Sequence, residues 1–149
     1  MMAQMLAPGA VLILWSLVML IWMAVTRLPA MKKMGGLGEA KAGGRGQDLE
    51  GVLDDRINWK AHNYAHLMEQ PTLFYAALII IALMGANEWD VALAWAYVVL
   101  RIVHSIWQST VNRVPVRFTL FALSSFALIY LAVRAVALTL FFNPGIAPI

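Results

Sequence analysis

The sequence predicts an all-α membrane protein, a bundle of four transmembrane helices. Three observations carry that prediction. The 149 residues are 62% hydrophobic and only 13% charged, a balance far from that of a soluble globular chain and enough for one domain. Four apolar stretches, at 10–26, 72–86, 91–107 and 118–142, approach or reach the roughly 20 residues that a spanning helix requires. The cations are gathered in two of the three connections between those stretches. Seven of the eleven Lys and Arg residues (Arg27, Lys32, Lys33, Lys41, Arg45, Arg56, Lys60) fall between the first and second stretches. Arg113 and Arg117 fall between the third and fourth, whereas the second connection carries Glu88 and Asp90 and no cation.

The first helix is expected over about 8–27. No Lys or Arg precedes it and no small-x-small cleavage site follows, so it reads as a retained span and not as a signal peptide. Residues 34–52 are rich in glycine and charge, a composition that buries no core, and a flexible loop is expected there. No Walker-type glycine pattern occurs in it. Asp54 or Asp55 is placed to cap the second helix, expected over 56–86 as one long helix with Pro71 inside it as a kink. A tight turn with Asn87, Glu88 and Asp90 makes the third helix, 90–112, an antiparallel neighbour of the second. Pro115 interrupts the next polar segment, and the fourth helix runs over 116–142. The positive-inside rule puts both basic loops in the cytoplasm and both termini outside, as an even number of spans requires. An integral membrane protein of a bacterial inner membrane is the expected setting. The net charge of +3 is explained by this topology, with no nucleic-acid partner implied.

The polar residues at membrane depth form two stripes. His62, His66 and Glu69 lie at i, i+4 and i+7 of the second helix, with Asn63 beside them. Arg101, His104, Ser105, Gln108 and Asn112 follow one face of the third. Counted at about 1.5 Å per residue from the outer turn, Glu69 lies roughly 24 Å deep, Arg101 roughly 16 Å and His104 roughly 21 Å, so the stripes overlap in height. An Arg facing hydrocarbon would cost at least about 2.5 kcal/mol, so both stripes are expected to face protein or water. Arg101 and Glu69 are expected to pair, whether as a device that holds helices together or as part of a site. His62, His66 and Glu69 share a face that would suit a metal, but neither H-E-x-x-H nor a paired E-x-x-H is present, and no metal site is assigned. With no cysteine in the chain, any thiol chemistry must come from a bound ligand.

These segments resemble the MAPEG family, the membrane-associated proteins of eicosanoid and glutathione metabolism. Ala61-His62-Asn63-Tyr64-Ala65-His66-Leu67-Met68-Glu69-Gln70-Pro71 is similar to the family's second-helix motif, in which an Asn and a following Glu contact glutathione ahead of a proline. Arg101-Ile102-Val103-His104-Ser105, followed by Asn112-Arg113-Val114-Pro115-Val116-Arg117, resembles its R-x-x-H-[ST] and R-x-P-x-R signatures. Here His66 stands where the family has that Asn, with Asn63 three residues further back. Gln108 replaces a family tyrosine, and the chain looks most like a bacterial branch.

The resemblance implies a homotrimer with glutathione bound near the cytoplasmic face. Arg117 would be the catalytic residue that stabilises the thiolate. Arg27, Asn63, His66, Glu69, Arg101, His104, Gln108 and Arg113 would contribute to glutathione binding, the arginines through bidentate contacts to its carboxylates. Two functions follow. One is a glutathione-dependent transferase or peroxidase acting on a lipophilic small molecule that enters from the bilayer. The other is a non-catalytic membrane subunit that keeps the fold within a larger membrane complex.

Overall fold

The computed structural model describes residues 1–142, and every span in it is helical. α1 covers Met2–Lys32, α2 Asp55–Leu67, α3 Gln70–Met84, α4 Glu88–Thr110 and α5 Val114–Leu140. Among the described residues, four stretches are long and apolar enough to cross a membrane: α1, the α2–α3 pair, α4 and α5. The protein is therefore a four-helix membrane bundle, and the first span is longer at both ends than its apolar run suggests. Each turn between spans has a chemical cause. α1 stops where Gly36 takes φ 78 and its N–H reaches back to the Met31 carbonyl. α3 ends at Gly85 with φ 112, a conformation costly for a side-chain-bearing residue. Asn87 and Asp90 then open α4 as a reciprocal cap: the Asp90 N–H donates to Asn87 Oδ1 at 2.9 Å, and the Asn87 N–H donates to Asp90 Oδ2 at 3.0 Å.

The second expected helix is divided. α2 ends at Leu67 and α3 starts at Gln70, with Glu69 between them at φ −89 and ψ −99, outside the helical region. Pro71 is the reason. Its missing N–H would have bonded to the carbonyl of Leu67, four residues back, and its ring would crowd that carbonyl, so the chain restarts with Pro71 in the first turn of α3.

The core runs along the bundle axis. α1 contributes Met5, Leu12 and Met19 at seven-residue intervals, all fully buried, while Ile13, Leu14, Leu17 and Ile21 point outward. Phe74 of α3 stacks on Tyr97 of α4 with ring centroids 4.3 Å apart. Leu128 and Leu131 of α5 complete this layer.

Beyond the core, the glycine-rich connection between α1 and α2 carries two short 3-10 turns, Leu37–Glu39 and Gly46–Leu49. Its second half, expected to be flexible, is tied to the bundle. Arg27 of α1 donates to the Gly46 carbonyl, Asn58 of α2 donates to the Leu49 carbonyl at 3.1 Å, and Glu50 pairs with His62 at 2.8 Å.

A polar cavity at the loop end of the bundle

The polar stripes of α2 and α4 meet, and Ser105 is the joint. Asn63 Nδ2 and Trp15 Nε1 both donate to its hydroxyl oxygen, at 2.7 and 2.9 Å, so one acceptor on α4 fastens α2 and α1 together. All of this is deep in the bundle: Asn63 and Ser105 are fully buried. Asn63 is thus a structural tie and does not line the cavity described below.

The break at Glu69 decides the rest of the geometry. Because the chain leaves the helix there, the Glu69 side chain swings outward and is 67% exposed, held by a hydrogen bond of 2.8 Å between its Oε2 and Nδ1 of His66. Arg101, on α4, is fully buried. Its Nη1 lies 3.4 Å from Nε2 of His66 and its Nη2 donates to the His66 carbonyl at 3.3 Å, while its guanidinium sits 5.8 Å from the centre of the Phe121 ring. The expected Arg101–Glu69 ion pair therefore does not form, because the imidazole of His66 stands between the two charges. Among the described residues, the ion pair with a fully buried carboxylate is instead Arg134 Nε to Asp90 Oδ2, 3.3 Å, at the opposite end. The sequence marks Asp90 only as a turn residue.

On the open side of His66 is a cavity of about 430 Å³. His66, Glu69, His104, Gln108 and Arg117, all expected site residues, line it together with His62, Val114, Phe118 and Phe121. Arg117 is held there by a second local device. Asn112 takes φ 55, a left-handed conformation that asparagine tolerates, and its N–H closes α4 on the Trp107 carbonyl at 2.8 Å. Its side-chain oxygen then accepts from Arg117 Nη1 at 2.7 Å, which fixes the guanidinium at the cavity wall. Gln108 brings a buried amide oxygen that has no hydrogen-bond partner among the described residues. Phe118 and Phe121 make the wall formed by α5 apolar and aromatic.

Four expected site residues lie elsewhere. Asn63 and Arg101 are buried behind the wall, Arg27 is engaged with Gly46 and Asn58, and Arg113 is exposed at the start of α5 with its carbonyl accepting from Trp107 Nε1 at 3.3 Å. Conversely, Phe118 and Phe121 were not singled out as site residues by sequence. The signal for Phe121 is its i+4 spacing from Arg117, which puts both on one face of α5. Among the described residues no three His, Asp or Glu side chains converge as metal ligands.

The segments that build this cavity lie within a single family match, to the MAPEG family, over residues 5–137. The chain belongs to the MAPEG family. Searches of curated proteins and of solved structures each gave no match. As a MAPEG protein it is an integral membrane protein, and the family supports a membrane-embedded function related to glutathione in general terms. The two MAPEG-like segments, 61–71 and 101–117, are far apart in sequence. They supply His62, His66, Glu69, His104, Gln108, Val114 and Arg117 to one cavity wall.

Proposed function

We propose that this MAPEG protein is a glutathione-dependent transferase or peroxidase-like enzyme that acts on a lipophilic electrophile drawn from the bilayer. The observation that carries the reading is the chemistry of the cavity wall: a guanidinium at Arg117, a carboxylate at Glu69 and the Gln108 amide, together with the aromatic pair Phe118 and Phe121. That donor and acceptor set fits glutathione, which has two carboxylates, an ammonium and peptide groups. Bound there, glutathione would supply the thiol nucleophile that the cysteine-free chain lacks.

In this reading Glu69 accepts from the ammonium, and His104 and Gln108 bond to the peptide groups. Arg117 stabilises negative charge on the sulfur, aided by the low polarity of the phenylalanine side. Phe118 and Phe121 line the approach of the lipophilic partner and keep bulk water from it. Arg27 and Arg113 lie outside this cavity, and we assign them to the carboxylates of a ligand bound by a neighbouring subunit of a homotrimer. In this reading the cavity faces the cytoplasmic side of an inner membrane with both termini outside, an orientation that the positive charge of the two loops supports.

The test is thermal unfolding of the purified protein with and without glutathione at about 10 mM. Binding with a dissociation constant near 0.1 mM would stabilise the protein by about 2.7 kcal/mol. Arg117→Ala should abolish turnover of an electrophile such as a nitroaryl halide while leaving the unligated melting temperature within a few degrees. Absence of any ligand effect, together with other membrane proteins that co-purify stoichiometrically, would favour the non-catalytic subunit of a larger complex.

A further inference from the structure

A guanidinium donates hydrogen bonds and accepts none, and an ionised carboxylate accepts and never donates. His66 is held between one of each. Arg101 Nη1 approaches its Nε2 at 3.4 Å, so Nε2 must present a lone pair. Glu69 Oε2 approaches its Nδ1 at 2.8 Å, so Nδ1 must carry the proton. Two neighbours of fixed polarity thus specify one tautomer of the ring between them, and it is the opposite of the Nε2–H form that a free histidine side chain prefers. The second guanidinium nitrogen grips the His66 carbonyl, so ring and backbone are located by the same residue.

Arg101 is itself fully buried and is not part of the cavity wall, which removes it from direct contact with anything bound there. We infer that Arg101 is a positioning residue: through His66, whose Nδ1–H tautomer it enforces, it holds the Glu69 carboxylate at the cavity mouth as an acceptor for a cationic group of the ligand. His66 resembles the histidine of a catalytic dyad only on its carboxylate side. In such a dyad Nε2 faces the substrate, whereas here that nitrogen is capped by a guanidinium and has no lone pair left to take a substrate proton. His66 therefore orients and does not act as a base. Only the identity of the ligand in this inference rests on the glutathione reading; the tautomer does not.

The experiment is nitrogen NMR of the full-length protein in lipid nanodiscs, labelled at its three histidines, with His66→Gln to assign the His66 signals. At neutral pH the wild type should show a pyrrole-type Nδ1 and a pyridine-type Nε2 at His66. In Glu69→Ala, where no carboxylate holds Nδ1–H, the proton should stay on Nδ1 because Arg101 still faces Nε2, and adding Arg101→Met to that variant should shift it to Nε2. Glutathione binding should weaken at least five-fold in Arg101→Met, whereas glutathione with an acetylated amino group should bind wild type and variant alike. An Nε2–H tautomer in the wild type or in folded Glu69→Ala, or an unchanged Nδ1–H tautomer in the folded double variant, overturns the inference. If the variants with Arg101→Met do not fold, the wild-type and Glu69→Ala tautomers decide alone. The expected tautomers without any glutathione binding would sink the ligand reading and leave the positioning role standing.

Discussion

Arg134→Met removes the cation from the buried ion pair while keeping a long apolar stem. The Asp90 carboxylate is fully buried; its Oδ2 accepts from the Asn87 N–H at 3.0 Å and from Arg134 Nε at 3.3 Å, and its Oδ1 has no partner among the described residues. Stripping one partner from a buried pair costs about 3–5 kcal/mol, because the remaining charge loses its compensation. Two features reduce that here: the Asn87 N–H stays in place, and the Arg134 side chain is 25% exposed, so part of the attraction is screened. The expected loss is about 2 kcal/mol, measured as the unfolding free energy in a mixed-micelle SDS titration. Asp90→Asn in the same background retains an acceptor for the Asn87 N–H and removes the uncompensated charge, so the double variant should recover about 1 kcal/mol relative to Arg134→Met. An Arg134→Met protein within about 0.5 kcal/mol of wild type, or a double variant whose cost is the sum of the singles, would refute the assignment of the pair as a buried, mutually dependent unit.

Two further outcomes follow from contacts at the other end. Ser105→Ala leaves Asn63 Nδ2 and Trp15 Nε1 without their shared acceptor and should cost about 1–2 kcal/mol in the same titration, more than Thr110→Ala, whose hydroxyl bonds only within its own helix. Glu50→Gln weakens a pair whose side chains are 55% and 43% exposed, so global stability should change by less than about 1 kcal/mol. Limited proteolysis between Gly43 and Gly51 should accelerate several-fold in that variant, and an unchanged cleavage rate would mean that the loop is anchored by Arg27 and Asn58 alone.

The spans were legible because hydropathy reports the solvent directly: nothing but a bilayer accounts for stretches such as 118–142. The turn at Asn87 was legible for a different reason, since its capping chemistry is local in sequence. What sequence misjudged was the partner of Arg101. Counting rise per residue put Arg101 and Glu69 about 8 Å apart in height, within reach of a long arginine side chain, but that count assumes an unbroken helix. Pro71 was visible as a kink, yet the outward turn of Glu69 follows from the backbone angles of one residue. The spacing of Asn63 and Arg101 likewise identified the correct helix faces without revealing that other side chains stand in front of them. Asp90 and Arg134 are 44 positions apart on different helices, and no periodicity links them.

The interruption after Leu67 has a further consequence for the surrounding lipid. α3 has 15 residues and so rises only about 22 Å, against a hydrocarbon thickness of about 30 Å. The outward-turned carboxylate at its start therefore sits about 8 Å inside the level at which a full-length span would emerge, and it needs water, headgroups or a polar neighbour to follow it inward. Bilayer thickness thereby becomes a variable for this protein: thin, short-chain lipids should wet Glu69 and open the mouth to polar molecules, and thick, sterol-like or long-chain mixtures should close it.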